Sequence, residues 1–276
     1  MSADPPDFGH HVEAFRSHGY AHLRGALGSD ELAALKEEVI DGLRRNYPWP
    51  PKPPAEASGY DGYYLPLMGA TSPVSRSLLT DPRLLHLAER LLERRVLPKP
   101  AKGILYQDAS AWHRDSADPN LDAVKMVIYF EPLEASSGAL RVIPGSHRPD
   151  ASEALARRRA EQPVGMPLDE EREDREWPGL VLSTEPSDIL VFDVHLWHAS
   201  LHGRGRLQWS VSYVAEPLTA AEQDSARSYI ASFLTAGHAY DTVAFPYYDP
   251  AWLRPDRPGF ADDMDRLGLF DHGGAS

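Results

Sequence analysis

The sequence contains no cysteine, which removes disulfides, thiolate metal sites and cysteine nucleophiles together. Lysine is scarce, five residues against 23 arginines. No apolar run is long enough to cross a bilayer. The opening residues, Met1-Ser2-Ala3-Asp4-Pro5-Pro6-Asp7, lack the basic and apolar regions of a secretory signal, so a cytoplasmic location is expected. Basic charge is also in deficit, 28 Lys and Arg against 41 Asp and Glu, for a net charge of −13. Such a balance repels phosphates, and neither nucleic acid nor membrane is an expected partner. It is compatible with a neutral or cationic small molecule, although most of it reads as a solubilising surface. No Gly/Ser-rich linker or internal repeat divides the 276 residues. One domain is therefore expected, with a helical amino-terminal region over about 8–98, a β core over about 99–216, and a carboxy-terminal helix and tail over 217–276. Nothing in the sequence specifies an oligomeric state.

What is present is patterned. Residues 29–47 place Leu32, Leu35, Val39, Ile40 and Leu43 on one helical stripe, with Ser29 as N-cap and Asp30 and Glu31 in the first turn. Pro48, Pro50 and Pro51 stop this helix and open an irregular stretch to about Leu67. A second helix begins with Asp81 as cap and Pro82 at its first position. Between 102 and 213 the pattern turns to strands. Segments 124–130 and 139–143, joined through a turn containing Gly138, read as an antiparallel pair. Further strands cover 187–198 and 207–214. The highly charged interruption at 151–176 reads as a solvated insertion, helical in its first half; a lid over the site is the alternative. Thr219 and Glu222 form a capping box that opens a last helix to about Phe233, and 245–276 reads as irregular.

Chemistry concentrates at His113-Arg114-Asp115. In an extended segment, residues i and i+2 share a face, so His113 and Asp115 project together while Arg114 points away. With a second histidine downstream, this is the ligand set of a mononuclear Fe(II) site: two imidazoles and one carboxylate on one face, three positions open. Among 12 histidines and 41 acidic residues an isolated H-x-D arises by chance, so its neighbours decide. Candidates for the third ligand are His195, His198 and His202. Strand alternation turns His195 away from His198, and His202 falls in the loop before Arg206.

The neighbours are Trp112 before His113, then Gly138, Leu140, Pro144, Gly145, Ser146 and His147, then Asp188 leading to His198-Ala199-Ser200, and finally Arg206 before the last strand. With these motifs in this order, the chain resembles the phytanoyl-CoA dioxygenase-like family of Fe(II)/2-oxoglutarate oxygenases over roughly residues 10–215. The resemblance selects His198 and implies a mainly β fold with flanking helices around a double-stranded β-helix (jelly-roll, cupin-like) core. It also implies Fe(II) on His113, Asp115 and His198, with 2-oxoglutarate and O2 as cosubstrates. Arg206, favoured over Arg204 by counting back from Tyr213, would pair with the far carboxylate of 2-oxoglutarate through its fork of donors. The interval from His198 to Arg206 is eight residues, shorter than in the resembled pattern. Ser200 faces the same way as His198 and would add a hydroxyl, and Lys102 is a further candidate contact for the cosubstrate. Trp112, Tyr106 and Arg141 are candidates for contact with substrate. Because Asp115 is a carboxylate rather than a small residue, the resemblance implies oxygenation, desaturation or oxidative cyclisation rather than halogenation. The implied substrate is a small molecule, polar or sugar-containing, in secondary-metabolite (antibiotic) biosynthesis. A cupin-type metal enzyme without 2-oxoglutarate and a non-catalytic binding protein on the same scaffold are the alternatives.

Overall fold

Period-two patterning in the central segments builds two antiparallel sheets in a computed structural model that describes residues 8–51, 62–162, 168–248 and 260–269. The amino-terminal elements are α1 (Gly9–His18), β1 (Tyr20–Leu23), α2 (Ser29–Asn46), β2 (Gly62–Pro66), α3 (Pro73–Leu79) and α4 (Pro82–Leu92). The central ones are β3 (Val96–Tyr106), β4 (Ser110–His113), β5 (Ala123–Tyr129), β6 (Leu140–Val142), α5 (Pro149–Glu161), α6 (Glu170–Glu176), β7 (Leu180–Leu182), β8 (Ile189–Asp193), β9 (His198–Ser200) and β10 (Arg206–Ala215). Helices α7 (Ala220–Thr235) and α8 (Phe260–Arg266) follow. The larger sheet has the order β1-β8-β5-β10-β3-β2 and the smaller β4-β9-β6-β7. They face each other across a cavity lined from both sides, the arrangement of a jelly roll.

Side-chain alternation gives the larger sheet two unlike faces. On β5, Val124, Met126 and Ile128 turn outward into the main core, while Lys125, Val127 and Tyr129 line the cavity. On β10, Trp209, Val211 and Tyr213 turn outward, and Arg206 and Gln208 turn in. Helix α7 packs on the inward phase, with the Tyr229 hydroxyl 3.1 Å from Ser212 Oγ and the Phe233 ring 5.6 Å from Lys102 Nζ. The outer face is covered by Leu35, Val39 and Leu43 of α2 and by Leu84, Leu85 and Ala88 of α4. Truncating one of these, Leu35→Ala for example, costs about 2–5 kcal/mol through lost contact and the cavity left behind. Buried polar tips on that face are satisfied: Trp209 Nε1 donates to Ser75 Oγ at 2.7 Å, and the Tyr213 hydroxyl donates to Leu79 O at 2.8 Å. Register slips between Ser210↔Lys102 and Ser212↔Lys99, so β3 bulges at Pro100 and Ala101. A proline, having no N–H for the ladder, fits there.

Several local expectations change. Segments 124–130 and 139–143 do not pair: β5 lies in the larger sheet between β8 and β10, and β6 lies in the smaller between β9 and β7. Their connection crosses the gap between sheets instead of folding back as a hairpin. The amino-terminal region supplies strands as well as helices, β1 and β2, and β2 occupies part of the stretch read as irregular. Gly28, not Ser29, sits at the α2 N-cap, with no side-chain cap. Asp81 caps α4 through the Arg83 N–H at 2.8 Å. Thr219 caps α7 through the Glu222 N–H at 3.2 Å, and Glu222 in turn accepts from Leu218 N at 2.7 Å, one residue further back than a capping box requires. In the carboxy-terminal segment, α8 is followed by Leu267 and Leu269, which pack with Met264 in the main core. Among the described residues, no helix is long and apolar enough to cross a membrane.

Candidate active site

The smaller sheet positions the three candidate metal ligands. His113 ends β4, and its register partner is His198 at the start of β9. Strand β4 stops at His113, so Asp115 stands in a bend rather than on the extended segment expected from the sequence. Ser116 N, bonded to Val194 O at 3.0 Å, pins that bend. One ligand atom from each of His113, Asp115 and His198 lies within 4.8 Å of the other two. Asp115 Oδ1 is 3.9 Å from His113 Nε2 and 3.7 Å from His198 Nε2.

Each imidazole is oriented by the carbonyl two residues before it. His113 Nδ1–H donates to Ala111 O at 2.7 Å, and His198 Nδ1–H donates to Leu196 O at 2.8 Å. Both Nε2 lone pairs are thereby left to face Asp115, the tautomer that metal ligation needs. Burial holds both histidines neutral, and His198, also beside His113, falls to about 3. Burial alone would raise the Asp115 carboxyl, but Lys125, His198 and His113 outweigh it and hold it well below the usual carboxylate range. Two neutral imidazoles and an ionised carboxylate, ready without proton loss, fit a divalent first-row metal.

Across the cavity, Arg206 opens β10 and is buried. Its guanidinium donates to Asp108 O at 2.8 Å and to Ser200 Oγ, and it lies 5.0 Å from the Tyr106 ring. Ser200 donates to Gly138 O at 2.6 Å. Arg206 Nε has no hydrogen-bond partner, and among the described residues no carboxylate pairs with this cation. A buried guanidinium left without an anion fits one carboxylate end of a dicarboxylate ligand. Gly138 makes room for it: its φ is +91°, and a Cβ there would stand 2.5 Å from Arg206 Cδ. Arg204, the competitor, instead pairs with Asp108 and Glu170 away from the cavity wall.

The cavity, about 610 Å³, brings together His113, Asp115, His198, Arg206, Ser200, Lys102, Tyr106 and Trp112. Arg141 is not among its walls. It is buried behind β6, where Nε bonds Asp174 at 3.0 Å and the other nitrogens reach Leu201 O and Ala135 O, so its partners leave it no route to a substrate. Trp112 is mostly consumed in packing: Trp177 is stacked between Trp112 and Trp197, with ring centres 5.9 and 5.6 Å apart. Both ring nitrogens of His195 face backbone carbonyls of Ser116 and Leu121, and His202 lies beside Glu170 and Asp174, so neither joins the ligand cluster.

Sequence reasoning missed two charged wall residues. Lys125 Nζ is 3.0 Å from Asp115 Oδ2, and although burial works against the ammonium, Asp115 raises its pKa. A lone lysine on the inward phase of an apolar strand was the available signal. Arg159 reaches the cavity from α5, where it pairs with the fully buried Glu173 of α6. The charged insertion therefore forms helices with buried contacts on the cavity wall, rather than a merely solvated excursion. Nothing in the run Arg157-Arg158-Arg159 singles out the last one.

Comparison with known proteins agrees with this geometry. Ectoine dioxygenase of Sphingopyxis alaskensis is 28% identical over 231 residues, 71% of each chain. The crystal structure of HygX from Streptomyces hygroscopicus with nickel and 2-oxoglutarate bound matches with a TM-score of 0.60 at 19% identity, over 76% of this chain and 88% of that one. HygX has also been solved with hygromycin B bound. The non-heme alpha ketoglutarate dependent epimerase SnoN from nogalamycin biosynthesis matches with a TM-score of 0.55 at 20% identity, over 80% of this chain and 90% of that one. The family described as phytanoyl-CoA dioxygenase (PhyH) matches residues 15–205. With its jelly-roll core and its clustered His113, Asp115 and His198, the chain belongs to the phytanoyl-CoA dioxygenase family of Fe(II)/2-oxoglutarate-dependent oxygenases.

Proposed function

We propose that the protein couples oxidative decarboxylation of 2-oxoglutarate to oxidation of a C–H bond in a small polar molecule, by hydroxylation, desaturation or oxidative cyclisation. The observation that carries this reading is the placement of two complementary sites in one cavity: His113, Asp115 and His198 on the wall of the smaller sheet, and Arg206, unpaired with any carboxylate among the described residues, reaching from the larger sheet to Ser200 at the end of β9. His113, Asp115 and His198 would hold Fe(II), while Arg206 and Ser200 would hold the far carboxylate of 2-oxoglutarate. When bound, the iron supplies the activation of O2 that the side chains cannot provide.

The chain's own residues supply position and exclusion of water. Ala111 O and Leu196 O fix the imidazole planes, Lys125 holds Asp115 ionised and oriented, and the Trp177 stack backs β4 and β9. Val127, Leu140 and Phe192 give the cavity an apolar floor that keeps water from the reacting centre. A cosubstrate-free cupin reaction would leave Arg206 as a buried cation with no partner, which disfavours that alternative. The names of the solved relatives, tied to hygromycin B and nogalamycin, support a secondary-metabolite (antibiotic) setting. The reading is tested by measuring succinate formed from 2-oxoglutarate by purified protein. Formation should require added Fe(II) and O2, and iron-independent or absent turnover rejects it.

A further inference from the structure

Four cations line the cavity, Lys102, Lys125, Arg159 and Arg206, against one carboxylate, Asp115, in a chain whose net charge is −13. Three of the five lysines, Lys99, Lys102 and Lys125, lie in or beside this wall. Most of these charges are accounted for. Arg159 is neutralised by Glu173. Lys125 pairs with Asp115, and Lys99 donates to Ser232 Oγ at 2.8 Å and to Tyr229 O. Arg206 is taken by the cosubstrate under the oxygenase reading, on which this inference rests.

Lys102 is left over. It lines the cavity with the Phe233 ring 5.6 Å from its Nζ; Lys99, Lys125, Asp115 and His238 act on it or feel it through space, but among the described residues no carboxylate forms an ion pair with it. Burial and the nearby Lys125 push its pKa down to about 8, which keeps it mostly charged near neutral pH. It does not share an anion with Arg206. The register sets Arg206 opposite Tyr106 and Ser210 opposite Lys102, four residues along the strand, a separation of roughly 13 Å. Once a metal draws on Asp115, Lys125 also loses part of its compensation. Two ammonium groups then face the space not occupied by cosubstrate.

We propose that Lys102, with Lys125 alongside, recognises an anionic group on the substrate, a carboxylate or a phosphate monoester. The substrate is thus an organic anion, contrary to the neutral or cationic molecule that the overall acidity suggests. The sign of the interior, not of the whole chain, decides what enters, because interactions in a desolvated cavity are far less screened than those across the surface. Lys102 is accordingly a substrate-specificity residue and not a cosubstrate ligand.

The test uses full-length protein loaded with Ni(II) and saturating 2-oxoglutarate, titrated calorimetrically with cyclohexanecarboxylate, cyclohexyl phosphate and the neutral cyclohexanecarboxamide. At least one anion should bind about tenfold more tightly than the amide, the size of one charge-assisted contact, and the tighter of the two identifies the group. Lys102→Met should erase that preference and leave the Kd for 2-oxoglutarate unchanged, while Lys102→Arg should restore part of it. Lys102→Gln serves if the methionine variant is insoluble. Equal binding of anions and amide by the wild type, silence included, overturns the proposal. So does a loss in Lys102→Met that falls on 2-oxoglutarate instead of the probes. Wild-type protein that takes up no 2-oxoglutarate rejects the oxygenase reading itself, before any probe is added.

Discussion

The two sheets divide the site in opposite ways. Strands of the smaller sheet are three or four residues long, yet β4 and β9 carry the two histidine ligands. Strands of the larger sheet reach eleven residues and carry none of the clustered ligands; they set charge, through Lys102, Lys125 and Arg206. Ligands must be held to a fraction of an ångström, which short strands achieve through local carbonyl bonds to each imidazole and a rigid tryptophan stack behind them. A charge acting through space needs less exact placement. Long regular strands with lysine and arginine on the inward phase supply it.

The largest expected effect lies in the smaller sheet. His113→Ala or His198→Ala should abolish both stoichiometric Fe(II) binding and metal-dependent succinate formation, whereas His195→Ala should retain both. An active His198→Ala protein would break the assignment of ligands to β4 and β9. On the larger sheet, Arg206→Ala should raise the KM for 2-oxoglutarate by about tenfold or more, the loss of a charge-assisted carboxylate contact of roughly 1.5–3 kcal/mol. Arg204→Ala should change it little, and equal effects from the two would erase the distinction between them. Gly138→Ala, which sets a methyl against Arg206 Cδ and Nε, should raise the same KM by displacing the guanidinium while leaving its charge in place.

Legibility followed the same division. His113 and Asp115 could be singled out because ligation demands particular residue types at short spacing, whereas His198, far along the chain, was separated from His195 and His202 by the family resemblance. That 124–130 and 207–214 form strands could be read because β-branched and aromatic residues run there between turn signals. Pairing could not be: residues 124–130 and 139–143 are neighbours in sequence with a turn between them, and no local property tells that they enter opposite sheets. Lys125 and Arg159 were missed because their meaning comes from Asp115 and Glu173, residues brought to them only by the fold. Asp188, part of the motif that carried the family resemblance, binds no ligand of the cluster. It is buried and accepts from Gly25 N at 2.9 Å, Glu185 N at 3.1 Å and His22 Nε2 at 2.7 Å, which fastens β1 to β8.

Smaller effects sharpen the contrast between site and scaffold. Trp177→Ala should lower unfolding free energy by about 3–5 kcal/mol in chemical denaturation, as truncating a buried aromatic does, and loosen metal binding as β4 and β9 lose their backing. An unchanged metal affinity would mean that the stack serves stability alone. At Asp188, burial raises the carboxyl pKa, but the bonds from Gly25 and Glu185 and the contact with His22 outweigh it, so the folded value lies below the ordinary 3.8. The unfolded chain therefore takes up the proton first as pH falls. The Asp188 contribution to stability is complete above 3.8 and disappears as pH drops through the lowered folded value. Asp188→Asn should be less stable at neutral pH and show a shallower acid limb in denaturation midpoints; a parallel pair of curves would remove Asp188 from the acid response.

The cationic chamber inside an acidic exterior also bears on how fast an anion arrives. A 2-oxoglutarate dianion approaching a chain of net charge −13 is slowed at long range and welcomed only near Arg206. Dissolved ions screen fields beyond about 8 Å at physiological ionic strength, and they act on the exterior before they act on a water-poor cavity. Modest salt should therefore quicken capture of 2-oxoglutarate relative to dilute buffer while leaving release nearly unaltered, until the ions reach the chamber itself.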